Sequence, residues 1–488
     1  MTADAGTRLV LLRLSGDLGT KARATRQHFV ARLARNLRDA LEAEGIPPRL
    51  RVSHDRLFAE LPAGARPEVL CRVFGVQSVS LVERVPAREL APLVSAGEAL
   101  FREAVRGRRF AVRARRVGDR APIAVEPRAI ERELGAALLP HSAGVDLDHP
   151  EVRVQVELFE SDAYFFPERI PGPGGLPVGV EGRAVALLSG GFDSAVAAWQ
   201  MLRRGVALDY VFCNLGGATH RLGAVRVAKV LADGWSHGDR PRFHSIDFEP
   251  VSRELQGSAR RRLWQVLLKR LMLRAAERVA RERDALALVT GEAVGQVSSQ
   301  TLHNLAAITP ATGMTVLRPL AGSNKEEIIA LARRIGTFEL SKVVGEYCAL
   351  VPRRPATRAS LAEVEAQEAL FDPSVLERCV AGRECFDLRE MDADKLERPE
   401  IQIDRIPEGA CVIDLRSAQE FREWHRPDAV WLDFGQAVAG YPSFDRAQTY
   451  VLYCELGLKS GHLAERMRRD GFEAFHLRGG SRALRRNR

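Results

Sequence analysis

Between Arg23 and Ala43 apolar residues return at helical spacing, with Phe29, Leu33, Leu37 and Leu41 on one stripe, which predicts an amphipathic helix. Its other face carries Arg26, Arg32, Arg35 and Arg38. A β-rich run, Arg8 to Leu14, precedes the helix, and strand-like segments follow at 50–52 and 57–60. Residues 1–64 therefore read as a small α+β unit. Over 65–169 the pattern is again mixed: Phe110, Val112 and Ala114 alternate with Arg113 and Arg115. Val152, Val154, Val156 and Leu158 also alternate with polar positions, as half-buried strands do. The stretch Pro171-Gly172-Pro173-Gly174-Gly175-Leu176-Pro177 cannot continue a helix or a central strand and predicts a linker.

Beyond the linker the pattern changes to strands alternating with helices. Strands expected at 184–188, 208–214, 242–247 and 285–290 predict a doubly wound parallel sheet within 170–398. A mostly polar stretch near 386–408 separates this from a last α/β unit over 405–488.

Length and composition narrow the picture. A chain of 488 residues exceeds one ordinary core, and 46% hydrophobic residues argue against long disordered tracts. No run approaches the roughly 20 apolar residues that span a bilayer. Met1-Thr2-Ala3-Asp4 shows no apolar leader, so a cytoplasmic protein that makes no membrane contact is expected. The net charge of +9 comes from 72 basic against 63 acidic residues, and most of the basic ones are arginine. Five of these, Arg106, Arg108, Arg109, Arg113 and Arg115, gather on one predicted strand and the turn before it. They are candidates for binding RNA phosphates, and a solvated strand face is the alternative. Cysteines stand at 71, 213, 348, 379, 385, 411 and 454. Their odd number, wide spacing and lack of any C-x-x-C pair argue against a disulfide scaffold or a structural zinc site.

The apolar strand Ala184-Val185-Ala186-Leu187-Leu188 runs directly into Ser189-Gly190-Gly191-Phe192-Asp193-Ser194, and a helix is predicted over 195–203. Paired glycines bare the backbone N–H groups, two serines add hydroxyls, and a helix N-terminus adds positive potential. Together they predict a phosphate cradle at the carboxyl end of a parallel strand. No Walker A pattern is present; S-G-G-x-D-S resembles the PP-loop of ATP pyrophosphatases instead. A carboxylate beside phosphates is explained if Asp193 holds Mg2+. Lys269 on a helical run, the polar loop Thr290–Thr301 and Lys325 at the start of another helix are further candidates for that site.

In the C-terminal unit, Cys454 follows the apolar strand Tyr450-Val451-Leu452-Tyr453 and precedes a loop and a helix from about Gly461. Inward-pointing loop amides there can hold a persulfide anion as they would a phosphate. With Asp414-Leu415-Arg416 after an earlier strand, this resembles a rhodanese domain. Cys411 reads as a strand thiol, Cys71 and Cys213 as core, and Cys379 and Cys385 carry no assigned chemistry. Cys348, in Gly345-Glu346-Tyr347-Cys348, is not marked out by its spacing.

Taken in order, these segments resemble the tRNA 4-thiouridine synthetase family, also known as the thiamine-biosynthesis sulfurtransferases, over essentially the whole chain. Asn214-Leu215-Gly216-Gly217-Ala218 and Glu346-Tyr347-Cys348 also look like that family's. The resemblance implies an α/β multidomain fold. It consists of a ferredoxin-like unit (1–64), an RNA-binding THUMP domain (65–169), a PP-loop ATP pyrophosphatase domain (170–398) and a rhodanese-like domain (405–488). It further implies ATP contacts from Leu187, Leu188, Lys269, Gly291 and Gln300, beside the Ser189, Gly190, Gly191, Ser194 and Lys325 read above, and catalytic roles for Cys454 and Cys348 beside Asp193. Cys454 would carry a persulfide and Cys348 would be its disulfide partner. The implied substrates are ATP, with Mg2+, and tRNA. A cysteine desulfurase would donate sulfur, a thiamine sulfur-carrier protein is a further candidate partner, and a homodimer is compatible with the sequence. Two departures are visible: Leu456 stands where the family often has arginine, and the turn Ser15–Lys21 differs from the usual acidic and lysine-rich one. The main alternative is a PP-loop ligase or amidotransferase acting on a small metabolite, and a non-catalytic RNA-binding module is the second.

Overall fold

The computed structural model describes residues 6–53, 56–118, 125–342, 354–396, 399–455 and 457–486. Two compact units emerge: Met1–Val180 with Arg203–Gly205 and His237–Asp239, and Glu181–Leu202 with Val206–Ser236 and Arg240–Arg488.

In the first unit, β1 (Thr7–Leu14) and β3 (Arg56–Pro62) carry continuous buried runs, and β2 (Arg49–Ser53) and β4 (Val76–Pro86) flank them. The sheet continues through β5 (Arg109–Arg116), β6 (Gly144–Val145), β7 (Val152–Phe159) and β8 (Asp162–Phe166), in the order β2-β3-β1-β4-β8-β7-β5-β6. Helix α1 (Arg23–Ala43) buries Phe29, Leu33, Leu37 and Leu41 against β1 and β3 residues, as its spacing predicts. The region expected to be a linker is packed instead. Ile170–Pro171 forms a short strand, β9, on β4. A Cβ on Gly172 would lie 2.3 Å from the Val76 carbonyl oxygen, and one on Gly175 would lie 2.1 Å from that of Arg203. These glycines permit close backbone approach rather than free movement.

The second unit holds two sheets. In the first, β10 (Arg183–Leu187), β11 (Ala207–Asn214), β12 (Arg242–Asp247), β13 (Ala287–Val289) and β14 (Thr315–Leu317) are parallel, in the order β14-β13-β10-β11-β12. The antiparallel strand β15 (Glu384–Asp387) closes the β12 edge. In the other sheet, β16 (Gln402–Ile403), β17 (Cys411–Asp414), β18 (Ala429–Trp431), β19 (Tyr450–Tyr453) and β20 (Ala474–Leu477) are all parallel, ordered β16-β20-β19-β17-β18. No helix among the described residues is long and apolar enough to cross a membrane.

Candidate functional site

The turn after β10 leads into helix α2 (Phe192–Arg203), which starts at Phe192 rather than at the expected Ala195. Asp193 and Ser194 therefore lie in its first turn, where backbone N–H groups have no helical partner. Gly190 has φ +82°, a conformation that strains any residue with a Cβ. The Ser189 amide donates to Ser194 Oγ at 3.1 Å, and Ser194 Oγ donates to the Gly191 carbonyl at 3.2 Å. The Gly191 amide donates to Ser189 Oγ at 3.3 Å, so the two serines close the turn on itself. Leu188 is buried behind this turn and Leu187 half-buried.

Asp193 is held from two sides. Its carboxylate accepts from Lys325 Nζ at 3.0 and 3.4 Å and from Gln296 Nε2 at 2.8 Å. Lys325 opens helix α3 (Lys325–Ile335), where Asn324 and Glu327 form a reciprocal capping box. The loop after β13 passes so close that a Cβ on Gly291 would lie 2.6 Å from the Ser194 amide nitrogen. Nearby, the buried Glu292 carboxylate accepts from Arg318 Nε at 2.8 Å and from the Thr290 hydroxyl at 3.0 Å, with Lys269 Nζ 4.0 Å away. Gln300 is buried, and its Oε1 has no hydrogen-bond partner among the described residues. Reading the sequence alone did not single out Glu292, Gln296 or Arg318. The first two lay inside a loop marked only by its polarity, and Arg318 carries no local mark at all.

At the exit of β19, Cys454 is buried and its Sγ accepts from the Gly457 amide at 3.2 Å. Ser460 Oγ lies 3.5 Å from the same sulfur and donates to the Gly457 carbonyl at 3.2 Å. Gly457, at φ +88°, turns the chain into the helix Leu458–Arg469, whose N-terminus adds positive potential beside the sulfur. The helix begins before the expected Gly461, so the first turn itself forms the wall of the loop. From behind, the Ser481 amide donates to the Cys454 carbonyl at 2.8 Å. Asp414 and Arg416, both buried, pair through Nη2 at 2.6 Å, and Arg416 also donates to the Trp424 carbonyl at 2.6 Å, pinning the end of β17. Cys348 and Leu456 lie outside the described residues. Burial pushes the thiols of Cys71 (to about 12), Cys213, Cys379, Cys385 and Cys411 upward, which disfavours the thiolate at each.

The five candidate arginines of β5 and its preceding turn are all exposed but differ in their partners. Arg106, Arg108 and Arg109 are exposed, the first paired with Glu103 and the last 3.7 Å from Asp146. Arg113 donates to the Leu147 carbonyl. Arg115 is bound at 2.6 Å to Glu157, a nearly inaccessible carboxylate that also takes Arg13, Arg56 and Arg169. Burial opposes the ionisation of Glu157, but these guanidiniums overcome it and hold the carboxyl down to about 2. On α1, Arg32 is not simply solvated: it donates to the carbonyls of Val178 and Gly238, both at 2.8 Å.

Four family descriptions match successive parts of the chain: the ThiI ferredoxin-like domain over 9–80, the THUMP domain over 88–166, the thiamine biosynthesis protein (ThiI) over 179–372 and the rhodanese-like domain over 393–487. A tRNA sulfurtransferase of Pyrobaculum aerophilum is 39% identical over 474 residues, covering 96% of both chains. Another, from Thermoplasma acidophilum, is 34% identical over 470 residues, covering 96% of this chain and 94% of its own. Among solved structures, a 4-thiouridine synthetase in complex with RNA and bound ATP is 30% identical with a TM-score of 0.69, and the match covers 78% of this chain and 99% of that one. Similarity of this extent, together with the glycine turn after β10 and the cradled cysteine after β19, means that the chain belongs to the tRNA sulfurtransferase (ThiI) family.

Proposed function

We propose that the chain is an ATP-dependent tRNA sulfurtransferase that converts the uridine at tRNA position 8 to 4-thiouridine. The observation that carries this reading is the Cys454 sulfur held by the Gly457 amide and the Ser460 hydroxyl, in the same compact unit as the Ser189–Ser194 turn. The Gly190 amide, the Lys269 ammonium and, on leaving their partners within the turn, the Ser189 and Gly191 amides and the Ser194 hydroxyl are suited to the phosphates of ATP. Leu187, Leu188 and Gly291 would border the nucleoside. The unpaired Gln300 Oε1 is an acceptor suited to an exocyclic amino group. Asp193 is one accessible carboxylate, which fits a Mg2+ ion bound mainly through phosphates; Lys325, now on Asp193, could then turn to a phosphate. The exposed Arg106, Arg108 and Arg109 offer contacts to the RNA backbone.

The chemistry follows from the substrate. A uridine C4 carbonyl is a poor electrophile, so its O4 first attacks the α-phosphorus of ATP and pyrophosphate leaves. The terminal sulfur of a Cys454 persulfide, loaded by a cysteine desulfurase, then attacks C4 and AMP departs. Cys348 attacks the Cys454 sulfur; the S–S bond breaks with its electron pair on the nucleoside sulfur, releasing 4-thiouridine and a Cys348–Cys454 disulfide. A dithiol reductant restores both thiols. The same persulfide could feed a thiamine sulfur-carrier protein. Unmodified tRNA, ATP, Mg2+, cysteine and a desulfurase should yield 4-thiouridine and AMP by mass analysis of nucleosides. Cys454→Ser should yield AMP without thionucleoside. A sulfur-loaded wild-type chain that forms no 4-thiouridine would overturn the proposal.

A further inference from the structure

The helix that follows β11, Gly217–Trp235, starts without a capping side chain of its own. Its cap comes from the C-terminal domain. The Glu465 carboxylate accepts from the Ala218 amide at 3.1 Å and from the Thr219 amide at 3.3 Å, neutralising two N–H groups that the helix cannot satisfy. One turn earlier on the Leu458–Arg469 helix, His462 Nδ1 donates to the Gly216 carbonyl at 2.9 Å. Glycines on both sides make room. Gly217 is at φ +76°, and a Cβ there would lie 2.7 Å from the Glu465 carboxylate; a Cβ on Gly461 would lie 3.0 Å from the Thr219 side chain.

This contact joins the two chemical loops. The Leu458–Arg469 helix begins with the residues that wall in Cys454, since Ser460 reaches its sulfur while the next residue abuts Thr219. On the other side, His220 stands edge-on to Phe212 at 4.8 Å. Burial and the neighbouring His462 push its imidazole down to about 3, against a hydrogen bond with the backbone of Ser189, the first residue of the glycine turn. Contacts therefore lead from the Cys454 loop through His462 to Gly216, and Gly216 in turn packs on His220, since a Cβ there would lie 2.8 Å from the His220 side chain.

We propose that Glu465 and His462 are positioning residues that seat the Cys454 loop against the start of the Gly217–Trp235 helix, so that sulfur is delivered beside the glycine turn. This rests on the sulfurtransferase reading above, and it assigns the docking to the transfer step rather than to sulfur loading or ATP consumption. Those two steps use groups confined to one side of the contact, whereas transfer needs both sides together.

Three rates, measured on the full chain, separate the steps: labelled sulfur loaded onto Cys454 by a desulfurase and cysteine, AMP formed with unmodified tRNA, and single-turnover 4-thiouridine formed from preloaded protein. Glu465→Ala and His462→Ala should leave the first two within about twofold and lower the third at least tenfold. Glu465→Gln, which keeps one acceptor oxygen, should fall between. Gly461→Val tests the contact from the other side, by crowding Thr219 without removing a hydrogen bond, and should give the same selective loss. Hydrogen exchange at Ala218 and Thr219 should rise in all of these variants. Transfer per loaded persulfide that stays unchanged in Glu465→Ala, or a parallel fall in all three rates, would overturn the inference. A wild-type chain with protected Ala218 and Thr219 amides that loads sulfur and forms AMP, yet makes no 4-thiouridine, would instead overturn the underlying function.

Discussion

Gly291 sits so close to the start of α2 that an added methyl would meet the Ser194 amide nitrogen at 2.6 Å and the Asp193 carbonyl carbon at 2.7 Å. Neither atom can move without shifting the first helical turn. Gly291→Ala should therefore lower AMP formation at least tenfold while sulfur loading on Cys454 is unchanged. Gly313→Ala, with open space around its Cβ position, is the control expected to change neither. Equal AMP formation by both variants would show that the turn tolerates the displacement. This close approach was not legible in the sequence, where Gly291 is one residue in a polar loop. Gly190 was: paired glycines after an apolar strand announce a tight turn, and its φ of +82° follows from that.

Among the elements, most strands and the long α1 were legible because each follows a local period of apolar positions. Helix starts were less so. Both α2 and the Leu458–Arg469 helix begin before the sequence suggested, because the single apolar residue that opens each, Phe192 or Leu458, is followed by polar or glycine residues that interrupt the apolar period. The D-x-R pair after β17 shows a different limit: its pattern is local, but its energetic weight depends on burial. Asp414 is fully buried and Arg416 nearly so. Asp414→Ala would leave a guanidinium without its carboxylate in the interior, at a cost of about 3–5 kcal/mol. Thermal unfolding followed in the C-terminal domain should show a clearly lowered Tm, whereas an exposed pair such as Arg426 with Asp428 should shift it little on truncation. Equal shifts would show that the buried pair is not a structural anchor.

Across the whole molecule, contacts between residues far apart in sequence are what local patterns hide. The periodic strand β5 suggested five comparable arginines; all five are exposed, yet Arg115 is committed to the buried Glu157. The Glu157 carboxyl is held at about 2 in the folded chain against an ordinary 4.5, a difference of roughly 3 kcal/mol. A depressed acid stabilises the fold above its unfolded value. That contribution is lost as pH falls from about 4.5 towards 2. Acid titration should therefore weaken the N-terminal unit in that window, and Glu157→Gln should be less stable at pH 7 and flatter below it; a parallel acid profile for the variant would contradict this. The cap supplied by Glu465 has a consequence of another kind. Because a residue from a distant part of the chain completes the Gly217–Trp235 helix, covalent connection sets an effective concentration, in the millimolar range for short tethers. Severing the chain between the two domains would convert this contact into a bimolecular association governed by dilution. The separated halves would then regain coupled activity only as their concentration approached the value that the intact backbone maintains.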